Sequence, residues 1–471
     1  MTSQKAPTSE PSSVQQIADW ALAISGAEIA DVAIQQAKLL LLDTIGCGLA
    51  ALEDETAQAM LAAGAASGGA ATCSVIGSAS KTSLPNAVLA NGTLIRLLDL
   101  NDYVIEADGS VGGHPSDNIP VALAAGELEG RSGRDVLAAI VIGYELYGRC
   151  KNMMERRSAW DGVSLSGIVA PVMAGWLMRL DRLALAHAIA LSVARAATSA
   201  VVRTGHLSAA KSLANALVAQ NAGQAALLAR HGVTGPLEVL DHARGMRAVF
   251  PRFDAAVLTQ PLSADSYLMR SNLKAFPCVA TGQAAVAAAV DLHRQIGGNT
   301  GQIERLRVVM ADVPAVRVHQ QDEERADPKS REAADHSFHF VIAAALADGA
   351  FGLAQYNDER WNDPALRALM SRIEMTTDAD LAQRASGSYP CRLEAETKDG
   401  RSLRAEVLFL PGFSGGGLTP EAIIGKFEAL AAPRLPVTAR QSVIDSVMAL
   451  DESPSLVVLQ AALATAGRAA T

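Results

Sequence analysis

Leu98-Asp99-Leu100-Asn101-Asp102, followed twelve residues after Asp102 by His114-Pro115-Ser116-Asp117-Asn118, is the stretch on which the reading of this chain turns. Between the two runs lies a Gly-containing loop, Asp108 to Gly113, so the segment can fold back and set a histidine against an aspartate. Pro115 biases His114 toward an extended backbone. Ser116 or Asp117 is then placed to cap the apolar helix that begins Ile119-Pro120-Val121. Pro120 is tolerated because first-turn N–H groups have no partner inside a helix. His114 therefore stands just before a helix N-terminus, where free N–H groups favour an anion. The same residues also fit a capped loop with an incidental histidine.

Outward from this stretch, the pattern is helical from Ser13 to about Arg230. Ser13 with Gln16 reads as a capping box, and Val14, Ile17, Ala18, Ala21 and Leu22 form one apolar face. Further helices are expected at about 31–51, 82–98, 119–129, 133–150, 164–179, 182–200 and 208–230, separated by turn signals such as Gly130-Arg131-Ser132-Gly133. Alanine is abundant before residue 265 and aromatics are only 4% of the chain, so the helices can approach closely. After about residue 265 the character changes. Arg305–Met310 reads as a strand, while 391–396 and 403–407 alternate at period two around the hairpin signal Asp399-Gly400. Helical patterns at about 279–296 and 335–353 make this an α+β unit. Thr419-Pro420-Glu421 opens a final helical stretch.

The chain has 471 residues, enough for two or three domains. A formal charge of −9, with no long basic run, argues against nucleic acid as a partner. Its five cysteines form no CxxC pair, which excludes zinc and iron–sulfur spacing and fits free thiols in a reducing cytosol. The first residues lack the apolar core of a signal peptide. The longest apolar windows, Leu39–Ala51 and Ile168–Leu177, read as too short or interrupted to span a bilayer. A cytoplasmic protein without a membrane partner is expected.

Three further places carry candidate chemistry. Lys211 falls in the first turn of an Ala-rich helix, after Gly205-His206-Leu207-Ser208, where the helix dipole disfavours a cation by a few tenths of a kcal/mol. It either points to water or holds an anion. Lys274, in Leu273-Lys274-Ala275-Phe276-Pro277-Cys278, leaves the same choice. Asp335-His336-Ser337-Phe338-His339 precedes an apolar helix. Its two histidines lack a third ligand, and capping by Asp335 or Ser337 is the simpler role.

Taken together, these segments resemble the MmgE/PrpD family, which includes 2-methylcitrate dehydratases, cis-aconitate decarboxylases and iminodisuccinate epimerases. The resemblance is carried by Leu-Leu-Asp-Thr-Ile-Gly at 41–46, the runs at 98–102 and 114–118, and Gly-Tyr-Glu-Leu at 143–146. It continues in Lys211, Gly-Val-Thr-Gly-Pro at 232–236, Lys-Ala-Phe-Pro at 274–277, Ala-Asp-His-Ser at 334–337 and Lys-Phe at 426–427. It implies a mainly α fold: a large all-α domain over 13–265, completed by 418–470, with a smaller α+β lid domain inserted at 266–417. It also implies a homodimer, and a site without metal or organic cofactor in the cleft between domains. Matched by position, Asp99, Asp102, His114, Lys211 and Lys274 would be catalytic. Tyr103, Ser116, His206, Arg157 and His336 would contact substrate.

The chain departs from the family pattern at Gly162, where several members have histidine nearby, and at Tyr103, Val279 and Phe340. The implied reaction is a lyase step on a small di- or tricarboxylate, 2-methylcitrate-type dehydration first, through an aci-carboxylate carbanion. His114, with a reference pKa of about 6.5, would serve as acid or base and Asp102 or Asp99 would orient it. Lys211 and Lys274 would hold carboxylates. Decarboxylation, epimerisation and a catalytically silent carboxylate-binding protein stay open as alternatives.

Overall fold

The computed structural model describes residues 10–154, 159–203, 207–248, 250, 252–263, 266–385, 387–414 and 417–464. Among them the fold is mainly α-helical, with one four-stranded sheet and one two-stranded ladder.

Small residues decide how the helices meet. A Cβ on Gly92 would stand 2.9 Å from Ala216 Cβ, and one on Gly223 would stand 2.5 Å from a Leu84 methyl. Helices Leu84–Leu97 and Ala210–Arg230 are therefore in close, antiparallel contact. The C-terminal end of the first meets the N-terminal end of the second. That crossing later places Arg96 and Asp99 near Lys211.

Two clusters of buried apolar side chains organise the elements. The larger runs from Val14 to Leu273 and resumes at Ile423, so helices Pro420–Ala431 and Val437–Met448 pack into the same core as the N-terminal helices. Helix Asp31–Ala50 lies at its centre. At 20 residues this helix, which extends the Leu39–Ala51 window toward the N-terminus, is long and apolar enough to cross a membrane by length and composition alone. However, 83% of its apolar window is covered by protein. The smaller cluster joins helices Gln283–Ile296 and Phe338–Asp348 to one face of the four-stranded sheet.

In that sheet the order is Ile373–Asp378, Ile303–Ala311, Cys391–Thr397, Ser402–Val407. The first pair is parallel and the other two are antiparallel. Alternation along Cys391–Thr397 turns Cys391, Leu393 and Ala395 to the core, and Asp399-Gly400 makes the hairpin with Gly400 at φ +84°. Phe340, fully buried, sits among Phe351, Tyr356 and Trp361, with ring centroids 5.6–6.4 Å away.

Several sequence expectations shift. The N-terminal capping box is Ser12 with Gln15, not Ser13 with Gln16, because Ser13 N–H is committed to Asp241 Oδ2 at 2.9 Å. Neither Ser116 nor Asp117 caps the helix Ile119–Leu128. A 3-10 turn, Pro115–Asn118, runs straight into it and their side chains turn elsewhere. The helix expected over 182–200 stops at Val193, and the one over 335–353 spans Phe338–Asp348, where Gly349 at φ +67° ends it. Helix Glu55–Ala66 and strand Ile373–Asp378 were not foreseen.

Candidate active site

A cavity of about 240 Å³ lies between the two apolar cores, and the His114 segment forms part of its wall. Leu84–Leu97 and the turn after it bring Arg96 and Asp99. The loop ending at Gly113 brings His114, and Ala210–Arg230 brings Lys211. From the other core come Val279, His319, Arg325 and His336. Lys274 reaches in from an extended segment that Gln283 pins in place. The Gln283 side chain accepts the Ala275 and Phe276 N–H groups (2.9 and 3.0 Å) and donates to the Phe276 carbonyl (2.9 Å). Gly113, at φ +93°, packs directly against the Tyr147 ring, a place a side chain could not share.

His114 is held from both sides of its ring. Nδ1 lies 2.5 Å from the backbone carbonyl of Asp102, so the ring proton sits there, and Nε2 faces Arg96 Nη2 at 3.2 Å with its lone pair. Burial pushes the imidazole well below its ordinary pKa, and the Arg96 and Lys274 cations push in the same direction. His114 is therefore an uncharged imidazole near neutral pH, with its Nε2 lone pair turned toward Arg96 in this structure. That is the state of a base, not of an acid.

A dense ionic array stands beside it. Asp99 pairs with Arg96 and with Lys274, whose Nζ also donates to the Asp99 carbonyl; both Lys274 contacts are 2.8 Å. Burial works against ionisation of Asp99, yet Lys274 and Arg96 hold its carboxyl well below the usual range. Lys211 Nζ lies 3.2 Å from Asp335 Oδ1 and 3.1 Å from His336 Nδ1, and His336 also contacts Asp335. Burial, reinforced by Lys211, takes His336 down to about 4. Burial likewise lowers Lys211 and Lys274. Ligand atoms of Asp99, Asp335 and His336 fall within 4.8 Å of one another, a grouping able to hold a metal. Here Arg96, Lys211 and Lys274 already occupy it with three cations.

The structure thus brings His114, Asp99, Lys211, Lys274 and His336 to one cavity. Lys211, only 3% exposed, holds a carboxylate and does not point to water. Asp102 and Ser116 do not line the cavity. Ser116 Oγ donates to Asp102 Oδ1 at 2.5 Å, and the Ser116 N–H points at the same carboxylate from 3.3 Å. The Asp102 carboxylate consequently does not orient His114; its backbone carbonyl does. Burial raises this carboxyl to about 7, against the opposing effect of Ser116. At this helix start the Ser116 N–H is thus spent on Asp102.

Tyr103 is also outside the cavity, stacked on Tyr389 with centroids 6.3 Å apart. Phe340 is core, while Val279 and Gly162 do line the cavity. Ser337, not Asp335, caps Phe338–Asp348. Arg157 and His206 lie outside the described residues. Sequence reasoning missed Arg96 and undervalued Asp335. The signal for Arg96 was a charge inside the apolar run Leu94-Ile95-Arg96-Leu97-Leu98, immediately before Asp99. His319, Arg325, Lys151 and Arg203 also line the cavity, and nothing local in the sequence marks them.

Comparison with known proteins gives the family. Residues 15–256 match the MmgE/PrpD N-terminal domain and residues 276–452 the MmgE/PrpD C-terminal domain. Human cis-aconitate decarboxylase is 25% identical over 93% of this chain and 92% of its own length. The 2-methylcitrate dehydratase of Salmonella typhimurium is 26% identical over 88% of this chain and 89% of its own. A probable 2-methylcitrate dehydratase of Saccharomyces cerevisiae is 27% identical over 75% of this chain and 71% of its own. Two family domains in order, covering most of the sequence, establish that the chain belongs to the MmgE/PrpD family.

Proposed function

We propose that this protein is a lyase for a small di- or tricarboxylate, with 2-methylcitrate-type dehydration as its reaction. One observation carries the reading: around an uncharged His114, the cavity presents six basic side chains (Arg96, Lys151, Arg203, Lys211, Lys274 and Arg325) against three acidic ones (Asp99, Asp117 and Asp161). In a protein of net charge −9, that local excess suits an anionic substrate. The relatives named dehydratase and decarboxylase support the same class.

In this reading His114 Nε2 removes the proton from the carbon beside a substrate carboxylate. The C–H electron pair moves into that carboxylate, giving an aci-carboxylate that Lys211, Lys274 and Arg96 stabilise without having to reorganise. The pair then returns to form the C=C bond as the β-hydroxyl leaves. Lys211, an ammonium made more acidic by burial, supplies the proton that makes it water. A base and a set of fixed cations complete this sequence without a metal.

Proton NMR of EDTA-treated protein tests the proposal, with 2-methylcitrate, citrate, cis-aconitate and iminodisuccinate in separate tubes. An alkene formed from 2-methylcitrate or citrate is the expected result. Loss of carbon dioxide from cis-aconitate would move the assignment to the decarboxylases, and turnover only after metal is restored would remove the cation-only mechanism. Inertness in every tube, with ligand-induced thermal stabilisation, would favour a binding protein.

A further inference from the structure

Lys151 stands in the last turn of helix Gly133–Asn152 and reaches the cavity beside Gly162. A Cβ built on Gly162 would lie 2.9 Å from Lys151 Nζ, closer than a real Cβ contact permits. A side chain at 162 would crowd this ammonium, the end of a flexible lysine, and make it shift. Its polar contact is Met154 Sδ at 3.6 Å, a weak acceptor, and it makes no ion pair among the described residues. Asp161 is near but committed, accepting the Val163 N–H at 3.0 Å and Arg203 Nε at 2.8 Å. Glu106 also acts on Lys151 without pairing with it among the described residues. Burial lowers the lysine's pKa, as expected for a charge without a close counter-ion.

The charges acting most strongly on Lys151 are Asp161, Glu106 and Arg203, whereas Lys274, Arg96, Lys211 and His336 act on Asp99. Lys151 enters the cavity from helix Gly133–Asn152, Lys211 from helix Ala210–Arg230 and Lys274 from the extended segment before Cys278. We propose that Lys151, seated in the space Gly162 leaves open, reads a carboxylate remote from the reacting carbon and thereby selects tricarboxylates over dicarboxylates. This rests on the carboxylate-lyase reading above. A ligand bridging the Lys211–Lys274 side and the Lys151 side needs carboxylates distributed along its skeleton, and a short dicarboxylate leaves Lys151 unpaired.

Isothermal titration of wild-type protein, Lys151→Met and Gly162→Ala with propane-1,2,3-tricarboxylate and with 2-methylbutanedioate tests this without requiring turnover. The expected result is a wild-type preference for the tricarboxylate of tenfold or more that collapses in Lys151→Met. Gly162→Ala should reduce it in the same direction, because its methyl displaces the ammonium while keeping the lysine, and it preserves the test should Lys151→Met fail to fold. A tricarboxylate preference that survives both substitutions overturns the role of Lys151 while leaving the lyase reading standing. Wild-type protein that binds neither ligand overturns that reading, and this inference with it.

Discussion

His114 donates its Nδ1 proton to the main-chain carbonyl of Asp102 at 2.5 Å, which leaves Nε2 unprotonated and facing Arg96. A main-chain acceptor fixes the tautomer without adding a negative charge behind the ring. The imidazole therefore stays neutral, in contrast to a histidine backed by a carboxylate, whose pKa that charge raises.

Replacement of His114 should accordingly remove turnover and spare the fold. His114→Gln is expected to melt within a few degrees of wild type and to lose roughly 10²–10⁴ in kcat, the usual worth of a positioned general base. Circular dichroism melts and a progress curve check both. Undiminished kcat would take His114 out of the chemistry.

The pH profile follows from the same environment. With His114 held well below its ordinary value, the acid limb of kcat/KM should fall well below pH 6.5. Burial of Lys211 and Lys274 should bring the alkaline limb below 10.5. An acid limb at or above pH 6.5 would contradict the neutral, cation-flanked imidazole.

Asp102 makes the opposite kind of prediction, one of stability. Its carboxyl is raised from 3.8 to about 7 by burial, so the folded state favours the protonated form. Its contribution is fully present below about pH 4 and is lost as pH rises through about 7, a loss on the order of a few kcal/mol. Asp102→Asn removes the titration and keeps the main-chain carbonyl that His114 uses. Its melting temperature relative to wild type should be higher at pH 8 than at pH 4. Parallel pH dependence of the two proteins would show that Asp102 does not titrate in this range.

Asp99 joins charge and backbone strain in one residue. It holds Arg96 and Lys274 from φ +50°, a left-handed conformation that Asn tolerates and Ala does not. Asp99→Asn leaves two buried cations short of a partner and should cost about 3–5 kcal/mol. Asp99→Ala should cost about 1 kcal/mol more for the backbone. Urea titrations of both variants check the order, and equal losses would remove the strain contribution.

The helical body and the Asp399-Gly400 hairpin were legible because each leaves a local mark, a period or a turn pair; the gathering of Asp99, His114, Lys211 and Lys274 in one site came from the family resemblance, since Lys211 and Lys274 read alone left solvent open. The roles inside the site were not legible. Asp102 and Ser116 lie three and two residues from cavity-lining Asp99 and His114, yet Ser116, in the 3-10 turn Pro115–Asn118, pairs with the Asp102 carboxylate and neither lines the cavity. Arg96 and Asp335 gain meaning only when the antiparallel helices and the second core meet, contacts made across 18 and 124 residues of chain respectively. Propensity and spacing do not encode such pairings. Helix Glu55–Ala66 went unread because its alanines give little contrast between faces, with only Ala57 and Met60 buried.

The most direct measurement is hydrogen exchange into 2-methylcitrate itself. Wild-type protein and His114→Gln are incubated with the acid in deuterated buffer, and recovered substrate is read by proton NMR at the C–H position beside the carboxylate. Deuterium entering that position with wild type, and not with His114→Gln, is the expected result. Equal exchange with both proteins would place the base elsewhere; alkene formation without any exchange in recovered substrate, even at equilibrium, would contradict reversible proton removal at that carbon.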